Sequence, residues 1–96
     1  MLNSRQKKNL RAKAHDLKPV VLVGKAGVTT GCIQSIDEAV ESQELIKVKF
    51  LEHKDDKKNL SDEIAEKTNS EIVGNIGHTI ILFRQNLDKE KQKYKI

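Results

Sequence analysis

The spacing of apolar positions divides the chain into seven segments that alternate between helical and extended periods. In the first, Leu10 and Ala14 share one side, with Leu17 just beyond, while Arg5, Lys7, Lys8 and Arg11 fan over most of the remaining circumference. This pattern predicts a surface helix of about ten residues, with Ser4 as its expected N-cap. Asp16-Leu17-Lys18-Pro19 ends it, because the residue before a proline avoids the helical region. Val20-Val21-Leu22-Val23 is apolar on both faces and predicts a buried central strand. A second helix follows, capped by Thr29 or Thr30 and reaching about Gln43. Cys32, Ile33, Ile36, Ala39 and Val40 fall on one arc of roughly 120°, opposite Gln34, Glu38 and Glu41.

Strict alternation returns over Leu45–Leu51, with Ile46, Val48 and Phe50 on one face and Lys47 and Lys49 on the other. The charged run His53–Lys58 reads as a loop leading into a third helix over about Asp56–Thr68, buried through Leu60, Ile64 and Ala65. Asn69-Ser70 ends that helix. Two strands, Glu71–Ile76 and Thr79–Arg84, flank Gly77-His78, where glycine suits the first position of a two-residue hairpin. Gln85–Ile96 has no apolar period and is expected to be a charged, frayed tail outside a domain of residues 1–84. The order α-β-α-β-α-β-β predicts an α/β domain with a four-stranded mixed sheet. Its parallel crossovers should be right-handed, and the terminal hairpin supplies the antiparallel pairing.

Ninety-six residues suffice for one domain with a modest core. No apolar run approaches the roughly 20 residues of a membrane helix, so no membrane partner is expected. The first residues lack the apolar core of a secretory signal, which makes the cytoplasm the expected location. A single cysteine, Cys32, excludes an internal disulfide and a Cys-rich zinc site. Net charge is +4, unevenly spread: residues 1–25 carry seven Lys/Arg against one acid, whereas residues 26–84 carry seven against eleven. Residues 85–96 carry four against two, so positive charge gathers at the two ends and around the glycine turn, a polarity suited to a polyanion.

Candidate chemistry centres on Val20–Gly31. A short strand runs into Gly24-Lys25-Ala26-Gly27 and then into a helix. Glycine leaves backbone N–H groups uncovered, the helix start adds unpaired donors, and Lys25 adds a full charge. That combination suits a phosphate. It does not match the Gly-x-x-x-x-Gly-Lys-Ser/Thr pattern of nucleotide hydrolases, nor Gly-x-Gly-x-x-Gly, so no nucleotide cofactor is expected. A plain strand-to-helix turn fits the two glycines equally well. His15, His53 and His78 have no second metal ligand nearby in sequence and read as solvated; Cys32 reads as a buried structural thiol. The acids of the middle segment read as solvated helix faces. No catalytic constellation and no metal site is visible, so an enzyme is not expected. With Phe50, Phe83 and Tyr94 the only aromatics, base-stacking platforms are scarce, and phosphate contacts fixing position more than sequence are the expected mode.

Three blocks carry a family resemblance: Lys18-Pro19-Val20-Val21-Leu22-Val23-Gly24-Lys25-Ala26-Gly27-Val28-Thr29, then Glu44–Lys49, then Gly77–Arg84. Together they resemble the CRM domain (chloroplast RNA splicing and ribosome maturation) in its bacterial stand-alone YhbY-like form, over about residues 2–84. The resemblance implies a compact two-layer α/β domain similar to the C-terminal domain of translation initiation factor three. It implies a KH-like GxxG loop that clamps RNA backbone, and an association with large-subunit ribosomal precursors. Mapped onto this sequence, the loop is Gly24, Lys25, Ala26 and Gly27, with Ala26 in place of a polar residue that is often Asn. His78 stands where relatives often carry Lys. Arg5, Lys8, Arg11, Lys18, Thr29 and Arg84 complete the expected RNA-binding set, and the protein is expected to act as a monomer. Two other functions remain open on sequence grounds: a protein-interaction module docking on a ribosomal protein or assembly factor, and a small nucleotide-dependent enzyme.

Overall fold

The computed structural model describes all 96 residues, and the seven predicted elements are present in the predicted order. Helix α1 covers Ser4–Ala14, β1 Pro19–Val23, α2 Thr30–Gln43, β2 Leu45–Phe50, α3 Lys57–Lys67, β3 Glu71–Ile76 and β4 Thr79–Phe83. Single 3-10 turns occupy Lys54–Asp56 and Lys89–Lys91. The cap of α1 lies one residue earlier than expected. Asn3 accepts the Gln6 N–H, and the Gln6 side chain accepts the Asn3 N–H, each at 2.9 Å. This reciprocal box satisfies two donors where a Ser4 cap would satisfy one.

The sheet order is β1-β2-β4-β3, with β1 parallel to β2 and both other pairings antiparallel. Alternation along β4 builds a core on each face. Ile80 and Leu82 join Ile46, Val48 and Phe50 of β2 under Ile36 and Val40 of α2 and Ile64 of α3. Ile81 and Phe83 instead join Leu45, Val73 and, from α1, Leu10 and Ala14. Each fully buried Val, Leu or Ile contributes about 1.5–3 kcal/mol, so the larger α2–α3 side supplies most of the apolar stabilisation. The two-layer expectation describes that side; α1 adds a partial third layer over β2 and β3.

Two expectations give way here. The first is β1, which is an edge strand: Val21 and Val23 turn toward α2, while Val20 and Leu22 stay exposed. Helix α1 crosses β2 and β3 and leaves the same face of β1 open. The second is the segment 85–96, which folds back instead of fraying. Glu44 is fully buried, and its carboxylate accepts the N–H groups of Asn86 at 2.5 Å, Lys93 at 2.5 Å and Tyr94 at 3.1 Å. Tyr94 then stands edge-on to Phe83 with ring centroids 6.4 Å apart, and Lys13 lies 5.9 Å from its ring centre. A carboxylate acceptor and one aromatic ring thus order a stretch with no apolar period of its own.

The placement of α1 depends on Gly74. A Cβ there would come within 2.6 Å of the Arg11 Cδ, so the absent side chain makes room for the stem of Arg11. The Arg11 guanidinium donates to the Val73 carbonyl at 2.8 Å, beside the irregularity in the β3–β4 register.

Candidate nucleic-acid interface

Val23 ends β1 in the core, and the next four residues form a tight turn. The Gly27 N–H donates to the Gly24 carbonyl at 3.0 Å, and Gly27 has φ +74°, a conformation that favours glycine. Thr29 then caps α2, its hydroxyl accepting the Cys32 N–H at 3.0 Å. Lys25 and Ala26 are left exposed at the tip. The amides of Gly24, Lys25, Ala26 and Val28 donate to no group of the chain. Gly24 differs from Gly27: a Cβ there would meet nothing within 4 Å, and its φ is not positive. The fold itself therefore tolerates a side chain at Gly24.

Two other connections reach the same end of the sheet, and the loop after β2 is tied to this turn. His53 takes a left-handed φ of +59°, and its Nε2 lies 2.8 Å from the Lys25 carbonyl, as an N–H donor. The same ring passes 3.5 Å from where a Gly27 Cβ would stand. Val23 accepts from both Leu51 and Glu52, and His78 accepts from Phe50 at 2.7 Å. The Lys57 ammonium donates to the Gly77 carbonyl at 2.7 Å, and burial lowers its pKa from the usual lysine value. Gly77 opens the β3–β4 hairpin with φ +57°, as glycine in the first turn position allows. The loop after β1, the loop after β2 and the β3–β4 hairpin thus form one braced surface.

The predicted site residues do not all gather there. Gly24, Lys25, Ala26, Gly27 and Thr29 build the turn, and His78 lies exposed in the adjacent hairpin. Lys18 precedes β1, a strand's length of roughly 15 Å from the turn. Arg5 and Lys8 are exposed on α1, which starts where the Leu2 N–H meets the Glu71 carboxylate, at the opposite end of β3 from the hairpin. Arg11 is engaged with Val73. Arg84 lies apart from the others. It follows β4 at the end paired with Leu45 and Glu71, far from the turn. Its guanidinium donates to Asp37 Oδ1 at 2.7 Å and to the Thr68 carbonyl at 2.6 Å, clamping α2 to the end of α3.

Sequence reasoning missed His53, whose role depends on a left-handed residue placed opposite the turn by the β1–β2 pairing. Its contact carries a prediction. Replacing His53 by Ala should loosen the Gly24–Gly27 turn while moving overall stability by no more than about 1 kcal/mol, since one exposed hydrogen bond is lost. Amide exchange at Gly27 should accelerate; unchanged protection there would show that the ring does not brace the turn. Cys32 is half-buried on α2, and burial raises its thiol pKa, in keeping with a structural residue. No cluster of metal-ligating side chains is present, and no helix is long and apolar enough to cross a membrane.

Comparison with known proteins bears on this geometry. A family model described as the CRS1/YhbY (CRM) domain matches residues 2–84. A Bacillus subtilis protein named probable RNA-binding protein YqeI is 39% identical over 92 residues, spanning 95% of this chain and 96% of its own length. A Haemophilus influenzae protein named RNA-binding protein is 35% identical over 92 residues, spanning 95% of this chain and 93% of its own. The solution structure of the hypothetical protein SAV1595 from Staphylococcus aureus superposes with a TM-score of 0.82 at 38% identity, covering 99% of this chain and 100% of that one.

Proposed function

Since the chain belongs to the CRS1/YhbY (CRM) domain family, we propose that it is a non-enzymatic RNA-binding protein whose Gly24–Gly27 turn receives a backbone phosphate. The observation that carries this reading is the row of unpaired amides at Gly24, Lys25, Ala26 and Val28, beside an exposed lysine and a glycine the fold does not require. Backbone N–H groups and one ammonium suit a phosphate oxygen and read no base. The names of the Bacillus and Haemophilus relatives support RNA as the polyanion. The target in this reading is structured ribosomal RNA or its precursor, bound during large-subunit assembly in the cytoplasm. His53 braces the turn, and Lys57 holds the neighbouring hairpin at Gly77.

The reading is tested by titrating a precursor ribosomal RNA fragment at several salt concentrations. Lys25→Ala should weaken binding about fivefold and reduce the slope of log affinity against log salt by about one phosphate contact. Equal affinity and equal slope would remove the turn from the interface. Association with ribosomal particles that survives RNase would instead favour docking on a protein.

A further inference from the structure

One surface beside the turn remains without a role. Leu22, Lys49, Thr79 and Ile76 pair in register across all four strands and form a single row. The row lies on the α1 side of the sheet, because Val48, Phe50 and Ile80 alternate with it toward α2 and α3. Helix α1 stops one row short, over Ile81 and Gly74. Leu22 is therefore 55% exposed and Ile76 57% exposed, with Val20 nearby at 44%. Strand spacing makes the row about 14 Å wide. One end of it runs directly into Gly24, two residues beyond Leu22.

We propose that this open row receives unpaired nucleobases of the RNA whose phosphate sits on the Gly24–Gly27 turn; the placement rests on the RNA reading above. Leu22 and Ile76 would lie against base faces, and Lys49 would meet a phosphate between them. Apolar side chains interrupted by a lysine complement a strand that alternates apolar bases with charged phosphates. Strands β1, β2 and β4 carry no acid, and the one acid of β3, Glu71, lies at its far end. A second copy of the chain is a poorer occupant. A two-fold contact through this row would press its exposed lysine, Lys49, toward its own symmetry mate. Aliphatic contacts tolerate any base, so the face adds affinity for unpaired RNA without adding sequence preference.

The experiment compares three probes on the full chain: a short unpaired RNA, the same strand with abasic riboses, and a duplex of equal length. Leu22→Ala combined with Ile76→Ala should weaken binding of the unpaired RNA about tenfold and leave the abasic strand and duplex unchanged. Both side chains are more than half exposed, and circular dichroism verifies that the variant folds. Lys25→Ala should weaken all three probes. If the double variant binds unpaired RNA as the parent does while Lys25→Ala still loses affinity, the base contact is overturned and the turn stands. If Lys25→Ala has no effect on any probe, the turn's role fails instead. A parent dimer that the double variant converts to monomer in sedimentation would overturn the proposal in favour of self-association.

Discussion

Replacing Glu44 by Ala is expected to lower the unfolding free energy by about 3 kcal/mol, out of the roughly 5–15 kcal/mol of a typical domain. The carboxylate is wholly inside the protein and accepts three backbone N–H groups from the C-terminal segment. Hydrogen bonds to a charged group contribute roughly 1.5–3 kcal/mol each, and the donors left behind would be partly buried without partners. Desolvating the carboxylate offsets part of the sum, which is why the expected loss is near one such bond or two rather than three. Glu44 also has φ +63°, unfavourable for a side chain, while its own carbonyl accepts the Arg84 N–H at 2.9 Å. Glu44→Gly separates the two contributions, relieving the backbone but removing the acceptor. If the carboxylate dominates, Gly destabilises nearly as much as Ala; if backbone strain dominates, Gly stabilises. Urea denaturation measures both, and amide exchange at Asn86, Lys93 and Tyr94 should rise together in either variant. A loss below about 0.5 kcal/mol for Ala would sink the assignment.

The second large effect is expected at the tip of the turn. Ala26→Asp should reduce affinity for RNA by tenfold or more, exceeding the loss from Lys25→Ala. A carboxylate about 5 Å from a bound phosphate costs roughly 1 kcal/mol at the dielectric of water and about 3 kcal/mol at a protein-surface dielectric. It also competes for the amides the phosphate needs. Ala26 is exposed, so thermal stability should move by no more than about 0.5 kcal/mol. Ala26→Asn, similar in shape and uncharged, should retain most of the binding, which isolates charge as the cause. Equal affinity for the Asp variant and the parent protein would place the RNA elsewhere.

The elements were legible because their apolar spacing is clean. Ile36 and Val40 on α2, and Ile46, Val48 and Phe50 on β2, sit in the core their periods assign. What spacing could not show was which face lacked a cover. Val20–Val23 has the same composition whether buried on both sides or lying at an edge, and the difference is decided by the path of α1. The glycine turn itself was legible, since Gly24 and Gly27 bracket Lys25, which the structure leaves exposed at the tip. Its brace was not. His53 is 28 residues from Lys25, and their meeting depends on strand pairing. Glu44 and Arg84 were unreadable for a related reason. A carboxylate looks solvated until its donors, 42 to 50 residues later, are seen to converge on it. A basic side chain beside a hairpin looks available until its acids, Asp37 and Glu41, are found across the fold.

The seat of Arg11 over Gly74 has a mechanical meaning. The side chain works as a key in a slot, fixing both the rotation and the axial position of α1 on the sheet. A shift of one turn, about 5.4 Å, would bring Lys7 or His15 over the glycine, and neither has a planar fork to engage the Val73 carbonyl. The basic flank of α1 is thereby indexed to the open row of the sheet. A substitution at Arg11 would remove a seat of the helix, beside those of Leu10 and Ala14, as well as a charge.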